Sequence, residues 1–255
     1  MKILITGMSG LIGSLLYTEL YPRHEVQALC RSVLPNVDQV NESITDYEAI
    51  LPAFRDVEVV VHLVAFRADD PTTELIQTNI EGTHNIFKAA VDSGVRRVVF
   101  ASSGGVVRGY LSENRFIGSD GAFTQFPLDG ETSPWPVRPY DATKAADESI
   151  ARVFAENTGI DAICVRIGKC LKDDVPVDRL VRPLWVSQRD ITQLIARCVE
   201  QQGPLWFKLV YWMSANTPPA VDLSRASSVF GYSPQDGCTW SPTTAIGPDV
   251  GSVYG

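Results

Sequence analysis

Ser103, Tyr140 and Lys144 are the residues of this chain best suited to move a proton. The run Tyr140-Asp141-Ala142-Thr143-Lys144 sets a phenol and an ammonium one helical turn apart, on one face. A free tyrosine ionises near pH ~10, too high for a base at neutral pH. A neighbouring ammonium favours the phenolate and makes the phenol a usable general acid/base. Ser103 lies just after Arg96 to Ala101, a buried strand by its pattern that ends in Ser102-Ser103, and its hydroxyl would hydrogen-bond a substrate oxygen and fix its direction. Tyr-x-x-x-Lys alone marks many ordinary helix faces, so its neighbours must say what this face looks at.

The first line of the sequence provides one such neighbour. Lys2-Ile3-Leu4-Ile5-Thr6 reads as a strand buried on both faces, followed by Gly7-Met8-Ser9-Gly10-Leu11-Ile12-Gly13 and an amphipathic run. A strand, a Gly-rich turn and a helix make the front half of a dinucleotide-binding βαβ unit. A pyrophosphate needs bare N–H groups at a helix N-terminus, and side chains at Gly7 or Gly10 would block it. Here the spacing is G-x-x-G-x-x-G, with Ser9 beside the expected phosphates. An oxidised nicotinamide ring near Tyr140 would add to the pull of Lys144 on the phenolate.

The elements that position these groups alternate along the chain. A first helix is expected to about Tyr21, a second strand over Glu25 to Leu29, and a short strand over Gln39 to Ile44. Thr45 or Asp46 would cap a helix through Phe54, and Val57 to Val64 reads as a central strand with His62 as a core histidine. Asp70-Pro71 would open a helix reaching about Val91. After the Ser103 strand, residues 108 to 138 lack periodicity but carry Tyr110, Phe116, Phe123, Phe126 and Trp135, as a packed functional loop would. A helix from Tyr140 to about Asn157, a strand over Asp161 to Ile167, a helix capped by a Ser187/Asp190 box and a strand over Phe207 to Met213 follow. The last forty residues read as mostly irregular. The pattern predicts a doubly wound parallel α/β sheet. Residues 1–170 would form its dinucleotide-binding domain, and 171–255 a small substrate-side region partly interleaved with the sheet.

The second strand ends at Cys30-Arg31-Ser32. An acid at such an end holds the adenosine ribose 2′-hydroxyl. No acid stands here, and Arg31 with Ser32 is expected to clamp a 2′-phosphate, so that NADP is expected in preference to NAD.

Composition excludes several classes. The 255 residues are 45% hydrophobic with a net charge of −8 and no Lys/Arg run, which argues against nucleic-acid binding. The five cysteines are scattered and form no zinc spacing, so reduced thiols and no metal are expected. No apolar run approaches membrane-spanning length, and Met1-Lys2 leads straight into the strand without a signal peptide. A cytoplasmic protein is expected.

These motifs resemble the extended short-chain dehydrogenases/reductases, the NAD-dependent epimerase/dehydratase group with its Rossmann fold. The resemblance rests on Thr6-Gly7-x-x-Gly10-x-x-Gly13, Val61-His62-Leu63-Val64-Ala65, Asn79-Ile80-Glu81-Gly82-Thr83-His84-Asn85, Val99-Phe100-Ala101-Ser102-Ser103 and Tyr140-x-x-x-Lys144. Arg166-Ile167-Gly168-Lys169-Cys170, Trp185-Val186-Ser187-Gln188-Arg189-Asp190, Ser214-Ala215-Asn216 and Phe230-Gly231-Tyr232-x-Pro234 are most similar to uronate dehydrogenases. It implies that Gly7, Gly10, Leu11, Ile12 and Gly13 meet the pyrophosphate and that Ser43-Ile44 flank the adenine. It further implies that Val64 and Ala65 line the cofactor, Asn79 supports the site and Ile167 approaches the nicotinamide. On the substrate side Gly104-Gly105 replace an Asn-His pair, and Arg67 stands where the uronate enzymes have a substrate-contacting serine. Their substrate arginine is matched loosely, by Arg179 with a one-residue shift or by Arg182. If the substrate is an acid, Arg67 with Arg179 would bind its carboxylate.

The expected function is hydride transfer between a nicotinamide and a carbinol or carbonyl of a small polar substrate, such as a sugar or sugar acid. The alternatives are a nucleotide-sugar epimerase or dehydratase and a non-catalytic dinucleotide sensor. The family often forms homodimers through the helices after the fourth and fifth strands.

Overall fold

Short β-branched runs separated by amphipathic helices can bury both faces of a sheet only if helices cover each side. The computed structural model, which describes residues 1–111, 127–176, 182–217 and 219–239, has that arrangement. Its strands are β1 (Lys2–Thr6), β2 (Glu25–Leu29), β3 (Asp38–Val40), β4 (Val59–His62), β5 (Arg97–Ser103), β6 (Asp161–Ile167) and β7 (Phe207–Trp212). They form one seven-stranded sheet in the order β3-β2-β1-β4-β5-β6-β7, with every pairing parallel. The last strand is contributed by the part of the chain after Cys170.

The helices are α1 (Leu11–Leu20), α2 (Tyr47–Ile50), α3 (Thr73–Ile76), α4 (Gly82–Asp92), α5 (Arg108–Leu111), α6 (Pro139–Thr158), α7 (Gln188–Glu200) and α8 (Ser224–Phe230). Leu16 and Leu20 of α1, Ile191 and Leu194 of α7 and Phe230 of α8 pack on one face of the sheet. Ile50 of α2, Ile86 and Phe87 of α4 and Ala151 of α6 cover the other. A third cluster, with Val107, Leu128, Tyr211 and Val221, joins the return leg of the 108–138 loop to β7.

Several boundaries differ from the sequence reading, each for a local reason. The third strand stops at Val40 because the Asn41 amide donates to the carbonyls of Cys30 and Ser32, turning the chain out of the ladder. Asp46, not Thr45, caps α2, accepting from the Ala49 N–H. Asp70-Pro71 does not open a helix; Thr72 caps α3, accepting from the Leu75 N–H. Between α3 and α4 the helix widens into a π-helical turn over Gln77–Glu81. Only half of the capping box forms at α7: Ser187 Oγ accepts from the Asp190 N–H, while the Asp190 carboxylate accepts from Ser214, Gln235 and Asp236. The C-terminal helix α8 lies in a stretch read as irregular. Phe116, Phe123 and Phe126 of the long loop lie outside the described residues. Among the described residues no helix is long and apolar enough to cross a membrane.

Candidate active site

In an open parallel sheet the ligand crevice lies beyond the carboxyl ends of the strands, where the strand order reverses. Here that point is between β1 and β4. Gly7 turns the chain there with φ +71°, a conformation that glycine adopts without strain. At Gly13 a Cβ would lie 2.5 Å from Met8 Cα and 2.6 Å from the Gly7 oxygen, so only glycine lets α1 sit this close to the turn. Gly10 is the N-cap of α1 and brings no side-chain hydrogen bond, and no acid occupies the first turn. The N–H groups of Leu11, Ile12 and Gly13 therefore have no acceptor within the helix, and Ser9 and Gly10 are exposed beside them. An open helix N-terminus over two obligatory glycines fits a dinucleotide pyrophosphate.

The walls of this crevice are fixed by buried hydrogen bonds. Thr6 Oγ1 accepts from the Leu63 and Val64 N–H groups at 3.1 and 3.3 Å, leaving its own proton for Nδ1 of His62 at 2.7 Å. His62 Nε2 then faces Thr83 Oγ1 at 3.2 Å. Burial, helped by the charge of Lys144, pushes this imidazole down to about 3, so it is a neutral core residue. Val64 and Ala65 follow, half-buried, against the Gly7 turn. Asn79, fully buried in the π-helical turn, exchanges two hydrogen bonds with the Phe66 backbone and donates to Thr143 Oγ1 at 2.9 Å. Thr143 in turn donates to the Tyr140 carbonyl. One amide thus ties the β4 end to the start of α6.

Tyr140, half-buried, and Lys144, buried, occupy the first turns of α6. Lys144 Nζ donates to the Ala101 carbonyl at 2.9 Å and lies 4.4 Å from the Phe100 ring centroid and 6.0 Å from that of Tyr140. Asp147, one turn further into the protein, is fully buried, and burial pushes its carboxyl up to about 7 against the pull of Lys144. Ser103, at the end of β5, pairs in register with Ile167 of β6, and its Oγ accepts from the Gly105 N–H at 3.0 Å. Behind it, Ser102 Oγ donates to Glu148, which receives both arms of Arg166 at 2.9 Å. Burial works against the Arg166 charge, but hydrogen bonds and attraction from Glu148 outweigh it and hold the guanidinium above its ordinary value.

Cationic side chains lie on the segments around Tyr140. The Arg67 guanidinium lies 5.4 Å from the Tyr140 ring centroid. Arg108 pairs with Asp141 through two nitrogens, and Arg138 with Asp69 at 3.3 Å. Lys169, just beyond β6, is held by backbone bonds to Leu184 and Val186. Burial and the charges of Arg108, Arg67 and Arg138 push its ammonium down to about 8, with Asp141 pulling the other way.

At the end of β2, Cys30 is buried and its thiol donates to the Ser32 carbonyl, whereas Arg31 and Ser32 are exposed. Ser43 bonds Thr45, and Ile44 is buried against Gly82. Gly104 is buried beside Ile167. Arg179 lies outside the described residues. Sequence reasoning passed over Thr6, Thr143 and Lys169. For Lys169 the signal was present, a lysine in the turn directly after a strand end.

The sequence matches the family model described as the NAD dependent epimerase/dehydratase family over residues 3–171. The chain belongs to this family. It is 31% identical over 245 residues to the NAD-dependent glucose-6-phosphate dehydrogenase of Haloferax volcanii, covering 92% of this chain and 93% of that protein. It is 28% identical to the L-arabinose 1-dehydrogenase (NAD(P)(+)) of the same organism, covering 92% and 96%. The solved glucuronic acid dehydrogenase of Chromohalobacter salexigens superposes with a TM-score of 0.78 at 25% identity, covering 92% of this chain and 85% of that one. Like these relatives, which it matches over nearly their full length, the chain is a nicotinamide-dependent dehydrogenase of the extended short-chain type.

Proposed function

We propose that the protein oxidises a carbinol of a small sugar or sugar acid, with Tyr140 as the proton acceptor, Lys144 as its electrostatic partner and Ser103 as the group that orients the substrate oxygen. The observation that carries this reading is Lys144. Its ammonium is 1% exposed, anchored on the Ala101 carbonyl, and sits beneath the Tyr140 ring beside a strand that ends in Ser103. Burying an ammonium costs free energy unless it is hydrogen-bonded and paired, so a lysine kept here at one hydrogen bond to a carbonyl points to a use for its charge. Asp147, its carboxyl near half-protonated at neutral pH, does not fully neutralise that charge.

When bound, the nicotinamide supplies the hydride acceptor. The Ser103 hydroxyl already accepts the Gly105 N–H, so its own proton remains for the substrate oxygen. Tyr140 takes the hydroxyl proton as the carbon loses its hydride and the C=O bond forms. Gly7, Gly10 and Gly13 with the Leu11 and Ile12 amides would hold the pyrophosphate, and Val64, Ala65 and Ile167 would line the nicotinamide side. The relatives named above are dehydrogenases of sugars, which favours oxidation over epimerisation or dinucleotide sensing. Incubation with a panel of aldoses and uronic acids, with NAD or NADP, is expected to produce reduced dinucleotide by absorbance. No reduction with any of them would overturn the reading.

NADP is taken in preference to NAD on this reading, because β2 ends without a carboxylate for the ribose diol and with the exposed Arg31 guanidinium. A guanidinium stacks on adenine and hydrogen-bonds a 2′-phosphate at once. Each hydrogen bond to a charged group is worth ~1.5–3 kcal/mol, so Arg31→Ala should weaken NADP by roughly ten- to a hundredfold and leave NAD nearly unchanged. Dissociation constants for both dinucleotides decide it: tighter NAD binding in the wild type, or an equal loss for both in the variant, removes the clamp.

A further inference from the structure

We propose that Asp147 is a positioning residue of the reaction, setting how much of the Lys144 charge reaches the Tyr140 phenol. The inference rests on the proposed role of Tyr140 for its effect on turnover, but not for its effect on the phenol itself.

Asp147 lies three residues after Lys144 on α6, so the two side chains are neighbours on one helix face. Both are sealed in the protein, with Asp147 0% and Lys144 1% exposed. Lys144 has a partner, the Ala101 carbonyl at 2.9 Å, and its ammonium lies 6.0 Å from the Tyr140 ring centroid. Asp147 has none: among the described residues neither of its carboxyl oxygens meets a hydrogen-bond partner. A buried carboxyl left in this way is unfavourable, and an apolar side chain of its size would fill the place at less cost. What the carboxyl has and such a side chain lacks is a charge that can be present or absent, one turn from the ammonium that faces the phenol.

The groups packed around Asp147 leave that charge to Lys144. On α6, Glu148 is engaged by Ser102 and by both arms of Arg166. From α4, the Thr83 hydroxyl favours the Asp147 charge but faces His62 Nε2 at 3.2 Å. From β4, His62 is neutral. From β6, the Cys164 thiol is fully buried and held protonated, first by burial, with Asp147 among the charges that add to it. Burial raises the Asp147 carboxyl most, Lys144 pulls it down, Glu148 pushes it up and Thr83 favours its charge, which together leave it at about 7.

The charge state acts on Tyr140 in a defined direction. Neutral Asp147 leaves the field of the ammonium on the phenol undiminished, which favours the phenolate. Ionised Asp147 offsets part of that field and makes the phenol harder to deprotonate. The first state holds below about 7 and the second above it.

Asp147→Asn fixes the neutral state. Tyr140 ionisation is read by ultraviolet tyrosinate absorbance, with the wild type and Asp147→Asn each titrated against its own Tyr140→Phe version. The midpoint should fall by about one pH unit in Asp147→Asn. Asp147→Leu, neutral and without a polar group, should shift it the same way. With a sugar substrate and dinucleotide, the rising limb of kcat/KM against pH should move down by a similar amount. The variant and wild-type profiles should converge below about pH 6, where Asp147 is neutral in the wild type too. An unshifted or raised phenol midpoint in either folded variant overturns the proposal. So does a kcat/KM profile lowered evenly at all pH with no displacement, which is what a purely structural role would produce. If Tyr140→Phe keeps full turnover, the proposed role of Tyr140 fails and the phenol midpoint alone decides: a downward shift supports the assignment of Asp147, and no shift overturns it.

Discussion

Tyr140→Phe should lower kcat by about 10²–10⁴ while dinucleotide binding survives. The ring is kept, so the Arg67 and Lys144 neighbours retain the surface they pack on, and the Thr143 hydroxyl still donates to the residue-140 carbonyl. What is lost is the one oxygen placed to take the substrate proton on the proposed reading. The pyrophosphate turn lies on β1 and α1, and nothing there depends on the phenol. Steady-state kinetics beside dinucleotide titration separates the two effects. Unchanged turnover in the Phe variant would remove Tyr140 from the proton path; lost dinucleotide binding would mean that it acts on the fold of the site instead.

Glu148→Ala should cost far more stability than a substitution in an exposed ion pair. Glu148 and Arg166 are 6% and 2% exposed in their side chains and joined by two bonds of 2.9 Å. Removing the carboxylate leaves a buried guanidinium whose remaining partners are Tyr211 Oη and the Thr132 carbonyl. Breaking one side of a buried pair costs ~3–5 kcal/mol. For a chain of this size that is roughly 6–20 °C in Tm. Lys88→Ala is the control, since the Lys88–Asp92 pair is close to half exposed on each side and such pairs contribute ~0–1 kcal/mol. Thermal and urea unfolding of both variants checks the ordering. A loss for Glu148→Ala no larger than that for Lys88→Ala would show that Arg166 finds other compensation.

The parts of this molecule that could be read from the sequence are those fixed by local geometry. Tyr140 and Lys144 share a face because a helix repeats every few residues, and Gly159, at φ +76°, ends that helix where a left-handed residue must. Val57 to Val64 and Arg96 to Ala101 read as buried strands from their apolar β-branched runs, and the structure pairs Val59–His62 with Arg97–Ser103 side by side. What could not be read depends on partners distant in sequence. Asn41 ends the third strand through the carbonyls of Cys30 and Ser32. Ala226 and Phe230 give α8 a buried face only once the larger core is assembled. Lys169 is pushed down only by burial and by the charges of Arg108, Arg67 and Arg138, all far from it in sequence.

The π-helical turn over Gln77–Glu81 gives the α3–α4 rod a reading frame. An α-helix advances about 100° per residue, and a π turn accommodates one residue more than an α turn would over the same rise. Deleting that residue would therefore leave α3 and α4 in phase, with Ile86 and Phe87 still on the core, but it would remove the bulge that carries Asn79 to Phe66 and Thr143. The irregularity belongs to the crevice wall and not to the packing of the rod on the sheet.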